Sequence, residues 1–448
     1  MTHSKSKIQN PKSSLPRYPR YKDSEIEWLG EVPEHWEIRR NLGVFDERKE
    51  CNQPEEELLS VTVSRGIIRQ SEITAKKDSS NDDKSKYKVV RVGDLAYNKM
   101  RAWQGALGIS AFNGIVSPAY VVLTPRNQKL SKYFHYLYRT PQFITEANRL
   151  SYGLCDDMNS LRYEHFKTSY SPLPPDNEID SIVAFLDQKT VEIDALIAKK
   201  QRQIELLDEQ KAILINRAVT RGLNPNAKLK PSGIEWIGKI PAHWEAVPLR
   251  RFIDGIEQGV SPATVEGELA ADDWGVLKSG CCNGGCFREA EHKKLPNGFK
   301  FGSSIAVKLG DLLVSRACGS RDLVGSTALV GVLTYNLILS DKNFRLLVRP
   351  NVDPTFLNYS MNSFHYRRQI EPRISGADGL PNNIPGARLK EIVFPIPPLL
   401  EQKSIVQQLD SLISSFMEAS RLAGRQIQSL KSLRSTLIAH AVTGRIKV

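Results

Sequence analysis

Five side chains that can contact nucleic-acid bases stand within seven positions of this 448-residue sequence. They are Asn98, Lys99, Arg101, Trp103 and Gln104. Arginine, lysine, asparagine and glutamine are the residues that hydrogen-bond base edges in the major groove of DNA. The stretch follows an apolar segment typical of a strand, and loops held by a rigid scaffold commonly carry binding residues. The pattern favours a base-reading loop; an ordinary polar loop around a packed tryptophan is the alternative.

Further candidates for DNA contact lie in polar segments of both halves of the chain. The remaining ones in the first half are Arg65, Tyr152 and Ser160. Those in the second half are Lys278, Ser279, Arg316, Arg321, Lys342 and Asn383. Tyr152 and Ser160 stand in a loop before a proline-rich junction, and Asn383 stands in the counterpart of that loop, 374–385. We expect Lys99, Arg101 and Gln104 to read bases in the first half, and Lys278, Ser279, Arg316 and Asn383 in the second, while neighbouring cations contact phosphates.

Residue patterns for catalysis are weak. Three cysteines at 281, 282 and 286 with His292 suggest zinc, but adjacent cysteines with a third four positions later do not form a paired Cys-x-x-Cys knuckle. Residues 117–120, SPAY, faintly resemble the Asp/Asn-Pro-Pro-Tyr/Phe motif of amino-methyltransferases without its amide or carboxylate. No phosphate-binding loop, helicase motif or nuclease signature is present. The sequence predicts a binding protein with no catalytic, cofactor-binding or metal-ligating residue.

The elements that must position the candidate residues occur twice. Shifting the sequence by 223 residues places 172–220 on 395–443 without a gap, and Ala218-Val219-Thr220 falls on Ala441-Val442-Thr443. Small and apolar residues in each copy recur at the alternating three- and four-residue spacing of a coiled-coil seam. In the first copy they are Ile193, Ile197, Ile204, Leu207, Leu214 and Ala218, and in the second Phe416, Ser420, Ala423, Ile427, Leu430, Leu437 and Ala441. The pattern predicts two long helices that pack on each other.

A second duplicated segment opens each half. SEIEWLGEVPEHWE begins at Ser24, and SGIEWIGKIPAHWE begins at Ser232. Its tryptophans are expected to anchor the segment to its domain, and His35 and His243 to hydrogen-bond locally. The plan is an α+β tandem repeat of two mixed α/β domains and two long helices. Its parts are a basic disordered arm over 1–22, a first domain over 23–175, a helix over 176–222, a linker and second domain over 223–398, and a helix over 399–448.

Bulk properties agree with a DNA-binding protein without establishing one. The formal net charge is +12, but residues 1–22 hold six basic and no acidic side chains, so half of the excess lies in the arm. No apolar run is long enough for a membrane span, and the N-terminus lacks an apolar signal segment. Six cysteines do not suggest a disulfide framework, so we expect a cytoplasmic protein.

The repeat as a whole resembles the specificity subunit of Type I restriction–modification enzymes. The resemblance rests on Glu27-Trp28-Leu29-Gly30 with Pro33-x-His35-Trp36, on the second copy of that motif, and on the Gly-Asp-Leu strands at 93–95 and 310–312. The proline-rich starts of the helices also match. The resemblance implies two target-recognition domains, one for each half-site of a bipartite DNA target, and an antiparallel coiled-coil spacer between them.

The resemblance also implies partners. Methyltransferase subunits would dock on the helices and supply chemistry that uses S-adenosylmethionine, and a motor-nuclease subunit would join for cleavage. The chain itself would carry no cofactor. Three alternatives stay open at this point: a stand-alone DNA-binding regulator, a coiled-coil assembly protein, and a self-contained methyltransferase.

Overall fold

The computed structural model describes residues 16–73, 83–153, 159–376 and 382–448. The chain forms two compact units: unit 1 comprises 1–201 and 425–448, and unit 2 comprises 202–424. The α-helices of the described residues are α1 (Leu130–Leu137), α2 (Pro141–Arg149), α3 (Tyr163–Phe166), α4 (Asp176–Arg221), α5 (Pro354–Met361), α6 (Phe364–Ile370), α7 (Gly386–Lys390) and α8 (Leu399–Val442). Thus α4 begins in unit 1 and ends in unit 2, and α8 does the reverse. None of these helices is long and apolar enough to cross a lipid bilayer.

The described strands of unit 1 are short, and the strand pairs formed among them are antiparallel. They are β1 (Tyr21–Asp23), β2 (Glu31–Pro33), β3 (Glu37–Arg40), β4 (Phe45–Glu47), β5 (Leu59–Thr62), β6 (Gly66–Arg69), β7 (Lys88–Val90), β8 (Leu95–Asn98), β9 (Leu107–Ile109), β10 (Gly114–Val116), β11 (Tyr120–Pro125) and β12 (Tyr170–Leu173). The central sheet has the order β4-β11-β8-β9, and the other strands form the pairs β1-β2, β3-β12, β5-β6 and β7-β10.

Unit 2 contains the second set of strands. They are β13 (Leu229–Pro231), β14 (Lys239–Pro241), β15 (Glu245–Pro248), β16 (Ile253–Gln258), β17 (Trp274–Leu277), β18 (His292–Lys294), β19 (Leu312–Ser315), β20 (Ala317–Cys318), β21 (Thr327–Leu329), β22 (Asn336–Ile338), β23 (Asn343–Val348), β24 (Asn382–Asn383) and β25 (Val393–Ile396). The central sheet has the order β16-β23-β19-β21, and a second sheet has the order β18-β17-β22. The pairs β13-β14, β15-β25 and β20-β24 complete the unit.

The two units share a frame and differ in its interior. The sheets β4-β11-β8-β9 and β16-β23-β19-β21 have the same order, and the pairs β1-β2 and β3-β12 correspond to β13-β14 and β15-β25. The units differ in the middle of their sequences, where unit 1 forms the pairs β5-β6 and β7-β10 and unit 2 forms the three-stranded sheet around β17. This agrees with a sequence duplication that is clear at the ends of each half and weak in the middle.

Each hydrophobic core includes the end of a long helix. In unit 1 the aromatic cluster around Phe134 and Tyr138 continues to Ala441 and Val442 at the end of α8, and all four side chains are fully buried. The buried Tyr133 hydroxyl donates to the Val442 carbonyl at 2.7 Å. In unit 2 the buried residues Ala218 and Val219, at the end of α4, pack with Trp244 and with Ile405 of α8. Segments far apart in sequence therefore complete each core.

The burial pattern along α4 follows the predicted seam. Ile193 and Ala218 are buried, and the seam residues between them, 197, 204, 207 and 214, are all partly buried. Within unit 1 the guanidinium of Arg434 on α8 lies 3.1 Å from the carboxylate of Asp194 on α4. The helix starts after Pro175, whose fixed backbone suits a helix start, and stops at Gly222, which has φ of +68°.

The duplicated opener segment holds the start of a long helix in each unit. In unit 1 the Trp36 indole donates to Glu178 Oε2 at 2.9 Å, and the Tyr18 hydroxyl donates to the same oxygen at 2.8 Å. His35 Nε2 lies 2.6 Å from Glu178 Oε1. In unit 2 His243 Nε2 lies 2.8 Å from Glu401 Oε2. The histidines thus contact helix residues far along the chain, and the expectation of local hydrogen bonds is wrong.

The same tryptophans contact the glycine that follows the other long helix. Gly444 and Gly222 both have the left-handed backbone, with φ of +72° and +68°. An added Cβ at Gly444 would lie 3.2 Å from the Trp36 ring, and one at Gly222 would lie 3.1 Å from the Trp244 ring. We call each group of tryptophan, glutamate and glycine a helix-end joint: Trp36, Glu178 and Gly444 in unit 1, and Trp244, Glu401 and Gly222 in unit 2.

A turn separates β10 from β11, because the Tyr120 amide donates to the Ser117 carbonyl. The helices α1 and α2 are also separate, because Thr140 caps α2 with Pro141 at its first position.

The prediction of a basic disordered arm over 1–22 needs correction. Residues 1–15 of the predicted arm lie outside the described residues. Residues 16–22 are not a disordered tail, since Tyr18 is only 6% exposed and the Lys447 amide donates to the Pro16 carbonyl at 2.8 Å.

The joint of unit 1 should contribute more stability than that of unit 2. Glu178→Ala removes the partner of Trp36, Tyr18 and His35, and we expect it to lower the free energy of unfolding by about 2 kcal/mol. Glu401→Ala is the matched control, with an expected loss of about 1 kcal/mol or less, because the Trp244 indole nitrogen has no hydrogen-bond partner among the described residues. Thermal and denaturant unfolding measure both, and equal losses would contradict the assignment.

The contribution of Glu178 should depend on pH. Burial acts to raise the pKa of this carboxyl, but hydrogen bonds from Trp36, Tyr18 and His35 outweigh it and hold the pKa below the ordinary 4.5. A carboxyl whose pKa is lower in the folded state stabilises the fold above its unfolded pKa, and this contribution is lost as the pH falls through the folded pKa. The stability difference between wild type and Glu178→Ala should therefore shrink below about pH 4.5. A difference that is constant down to pH 3 would be inconsistent with this mechanism.

Candidate DNA-binding surface

The loop after β8 is held by its own hydrogen bonds. Asn98 Oδ1 accepts from the Met100 amide at 2.9 Å, and the Trp103 indole donates to the Met100 carbonyl at 2.9 Å. A 3₁₀ turn over Ala102–Gln104 follows, and Gly105 closes it with φ of +94°. The side chains of Asn98 and Trp103 are therefore engaged in shaping the loop. Arg101 and Gln104 are exposed.

A second segment joins this loop. The Leu161 amide donates to the Lys99 carbonyl at 2.9 Å. The preceding residue, Ser160, exchanges backbone hydrogen bonds with Tyr152. Tyr152 is 71% exposed, and its ring centroid lies 5.3 Å from that of His165. We call Lys99, Arg101, Gln104, Tyr152 and Ser160 the unit 1 surface.

Arg65 has other contacts. It stands in the turn between β5 and β6, and its guanidinium forms an ion pair with Glu72. The same side chain borders a cavity beside the long helices. Its role as a DNA contact stays a prediction.

Unit 2 brings most of its candidates together. The Arg316 amide donates to the Lys342 carbonyl at 2.8 Å, and the Arg316 carbonyl accepts from the Ile384 amide at 2.9 Å. Asn383 pairs with Ala317 in the β20-β24 pair. The Lys278 carbonyl accepts from the side-chain amide of Asn343 at 3.5 Å, and Ser279 follows Lys278 in the chain. We call Lys278, Ser279, Arg316, Lys342 and Asn383 the unit 2 surface.

Arg321 is engaged elsewhere in unit 2. Its guanidinium donates to the Glu371 carbonyl, just after α6, at 2.9 Å. Its own carbonyl accepts from Arg367 of α6 at 3.2 Å. This arrangement ties the turn to a helix, and any contact of Arg321 with DNA stays a prediction.

Lys99 and Arg316 occupy the same backbone position in their units. Each stands four residues after the leucine of a Gly-Asp-Leu sequence. Each amide donates to the residue before the second strand of the central sheet, Ala119 or Lys342, at 3.1 and 2.8 Å. Each carbonyl accepts from a residue that follows a bridged pair, Tyr152 with Ser160 or Ser375 with Asn383. The two units thus share the backbone hydrogen bonds at this position, but they differ in the side chains of the bridged pairs.

Buried ion pairs fix the turns that lead to these positions. Asp94, only 1% exposed, accepts from the Arg48 guanidinium at 2.7 Å and from the Thr124 hydroxyl at 2.8 Å. The hydrogen bond that Arg48 donates to Asp94 raises the pKa of Arg48. The unit 2 equivalent, Asp311, lies 2.7 Å from the nearly buried Arg345 guanidinium. The turns that precede β8 and β19 are thus built in the same way.

Arg316 is partly buried, and its guanidinium group contacts an aromatic ring and a backbone carbonyl group. Its guanidinium lies 5.5 Å from the centre of the Phe344 ring, and Nη1 donates to the Asp341 carbonyl at 3.1 Å. Its buried Nε has no partner among the described residues. In unit 1, burial and then the charge of nearby Lys99 lower the pKa of Lys88, while Glu47 opposes them. A negatively charged group placed near either surface would thus stabilise the charged form of the cation there.

Sequence reasoning missed Ser375, which occupies the place of Tyr152 in unit 2. The signal was available, because 374–385 is the recognisable counterpart of the loop containing Tyr152. It also missed His165, which packs on the Tyr152 ring. That contact depends on the fold of α3 and has no sequence signature.

The cysteine-rich loop of unit 2 is packed. Cys281 and Cys282 are fully buried with their sulfur atoms 3.4 Å apart, and Cys286 is exposed. His292 Nδ1 lies 2.7 Å from the Glu289 carbonyl. Within the described ranges, no three or more His, Cys, Asp or Glu side chains are grouped as metal ligands would be.

Known proteins similar to this chain are Type I restriction enzyme components. No family model matches the chain. It is 24% identical over 456 residues to the putative Type I restriction enzyme MjaX specificity subunit of Methanocaldococcus jannaschii, covering 96% of this chain and 97% of that protein. It is also 24% identical over 434 residues to the MjaVIII specificity subunit of that organism, covering 93% and 94%. A solved structure described as concerning assembly of the Type I R-M system matches 92% of this chain and 98% of its own with a TM-score of 0.66 at 18% identity, which is a likeness of fold.

The sequence predicted that Lys99 reads bases, but because it shares its backbone position with Arg316 we now predict that it contacts a DNA phosphate. Only its backbone atoms form hydrogen bonds within the described residues, so Lys99→Ala should leave the melting temperature unchanged. If its ammonium group contacts a phosphate, the variant should bind duplexes of any sequence less tightly. The slope of log affinity against log salt should fall by about one. Lys189→Ala on α4 is the matched control. Equal salt slopes for the two variants would show that Lys99 does not contact DNA.

Proposed function

Because the chain belongs to the family of Type I restriction enzyme specificity subunits, we propose that it binds double-stranded DNA and selects the sequence on which its partner subunits act. The chain is a non-catalytic subunit, and catalysis belongs to other components. One observation carries the proposal: the two units hold a cation on the same backbone position and surround it with different side chains.

The target is bipartite, with one half-site for each unit. Lys99 and Arg316, which the sequence predicted to read bases, are reassigned here to phosphate contacts, because they occupy the same backbone position in both units. The part of the interface that differs between the units consists of Tyr152 and Ser160 in unit 1 and of Ser375 and Asn383 in unit 2. Shared phosphate contacts with different base contacts suit two domains that recognise different sequences, because phosphate contacts set register and base contacts set specificity.

The long helices form an antiparallel coiled-coil spacer. The Asp194–Arg434 contact of unit 1 and the seam burial of α4 support this arrangement. A rigid spacer would make binding cooperative only where the half-sites stand at the matching separation.

Methyltransferase subunits dock on the outer faces of these helices. Large apolar side chains are exposed there, where a solvated helix would carry polar residues. The most exposed are Val191 at 69%, Ile213 at 59%, Leu400 at 81%, Met417 at 60% and Leu433 at 54%. The partner supplies S-adenosylmethionine chemistry, a motor-nuclease subunit joins for cleavage, and the assembly works in the cytoplasm.

Methylation mapping tests the function directly. Cells that carry this chain with a cognate methyltransferase subunit are compared with cells that lack only this chain. We expect methylation at an asymmetric split motif only when the chain is present. Absence of new methylation, with an active and bound partner, would favour an assembly protein or a stand-alone regulator.

Arg101→Ala should relax selection at one half-site only. Arg101 is exposed on the unit 1 surface, and loss of a base contact costs about 1–3 kcal/mol of discrimination. Lys342→Ala is the reciprocal control on the unit 2 surface. The methylated motifs of both variants provide the measurement. Equal weakening on all sequences would assign Arg101 to a phosphate.

A further inference from the structure

A cavity of about 520 Å³ lies within unit 1, apart from the unit 1 surface. Its walls come from the β5–β6 turn, from the junction of α1 and α2, and from the facing parts of α4 and α8. The cations on these walls are Arg65, Arg139, Lys431 and Arg434, and the one carboxylate is Asp194. The aliphatic side chains of Ile197 and Ile438 form an apolar part of the lining.

The charges on the walls do not balance. Arg65 is paired with Glu72, and Arg434 lies 3.1 Å from Asp194. Arg139 donates only to carbonyl groups, those of residues 107, 63 and 64, at 2.9, 3.1 and 2.8 Å. Lys431 has no ion-pair partner in the part of the chain that the structure describes. The cavity thus keeps an excess of about two positive charges, which is the charge of a phosphate monoester with opposite sign.

Burial and, after it, the neighbouring cations lower the pKa values of two groups at the cavity. Burial first, and then the charge of Arg434, lower the pKa of Arg139. Burial, then Arg139 and more weakly Arg434, lower the pKa of His135 to about 4, although Asp187 opposes this. The buried Nε of Arg434 has no hydrogen-bond partner among the described residues, so its N–H is not directed at the nearby Asp194 oxygen. An anion in the cavity would relieve the repulsion and accept this N–H.

Unit 2 does not repeat the excess. The 223-residue shift places His135 and Arg139 on Asn358 and Asn362, and the Asn362 amide donates to the Thr327 carbonyl as Arg139 does to that of Leu107. The same shift places Lys431 and Arg434 on Asp208 and Lys211, which pair with each other at 2.8 Å. A packing requirement shared by both units would not place uncompensated cations in only one of them.

We propose that the unit 1 cavity binds a phosphate group, carried by a free nucleoside phosphate or by the DNA backbone. The uncompensated charge comes from Arg139 and Lys431, and Arg434 offers its unpartnered Nε–H. Ile197 and Ile438 pack against the apolar part of the ligand. Several guanidinium groups and an ammonium group suit phosphate, because planar guanidinium forks bind its oxygens two at a time. The volume is sufficient for a nucleotide. The site does not depend on sequence recognition at the unit 1 surface.

The test uses the purified full chain and four variants. Lys431→Ala and Lys431→Glu remove or reverse the unpaired charge at an exposed helix position and should leave the fold intact. Lys403→Ala is the matched control on the same helix, and Lys99→Ala reports on the unit 1 surface. Circular dichroism and melting temperature check folding. Calorimetric titration with ADP and with inorganic phosphate, without DNA, forms the first arm, and binding of a non-target duplex over a salt series forms the second.

Each result has a defined meaning. Binding of ADP that Lys431→Ala weakens about tenfold or more, and that Lys403→Ala and Lys99→Ala leave unchanged, supports a nucleoside phosphate as the source. Absence of ADP binding, with a lower duplex affinity and a salt slope smaller by about one for Lys431→Ala but not for Lys403→Ala, supports the DNA backbone. If Lys431→Ala and Lys403→Ala behave alike in both arms, the cavity is not a phosphate site, whatever the effect on partner subunits.

Discussion

The helix-end joints are the contacts on which the architecture of each unit depends. A helix of more than forty residues leaves unpaired backbone groups at both ends and an apolar stripe between them. In each unit one tryptophan lies against the start of one long helix and the end of the other. Gly444 and Gly222 allow this, because a side chain at either position would be strained by the left-handed backbone and would crowd the indole. The joint thus holds the start of one long helix and the end of the other together within each unit.

Buried charge positions the loops that carry the candidate DNA contacts. Asp94 and Asp311 each meet an arginine from a neighbouring part of the sheet, and burial of one partner alone would be costly. These pairs hold the turns before β8 and β19. After the two strands, equivalent backbone hydrogen bonds hold Lys99 and Arg316. Variation can then collect in the bridged segments that contain Tyr152 and Asn383. A frame that the two units share, with loops that differ between them, would allow the two units to bind different ligands without a change of fold.

The sequence predicted the parts of this structure that repeat. Ile193, Ile204 and Ala218 were identifiable because their period survives in the second copy, and proline and glycine mark the helix ends. The partner of His35 was not predicted, because Glu178 lies 143 residues away and single-sequence patterns do not report such distances. Duplication could have suggested it, since both residues recur as His243 and Glu401. Lys99 and Arg316 were both selected by side-chain type, but their equivalence emerged only from backbone hydrogen bonds, because the two middles have diverged. The roles of these residues at DNA stay predictions.

The composition of the units has a consequence for the order in which they can form during synthesis. Unit 2 needs only residues 202–424, whereas unit 1 needs residues 425–448 to fill its core with Ala441 and Val442. The domain that is translated first is therefore the last that can be completed. Until α8 has left the ribosome, the cluster around Phe134 and Tyr138 lacks one wall, and contacts between such distant segments form slowly. The nascent first domain therefore keeps apolar surface exposed until residues 425–448 have been synthesised.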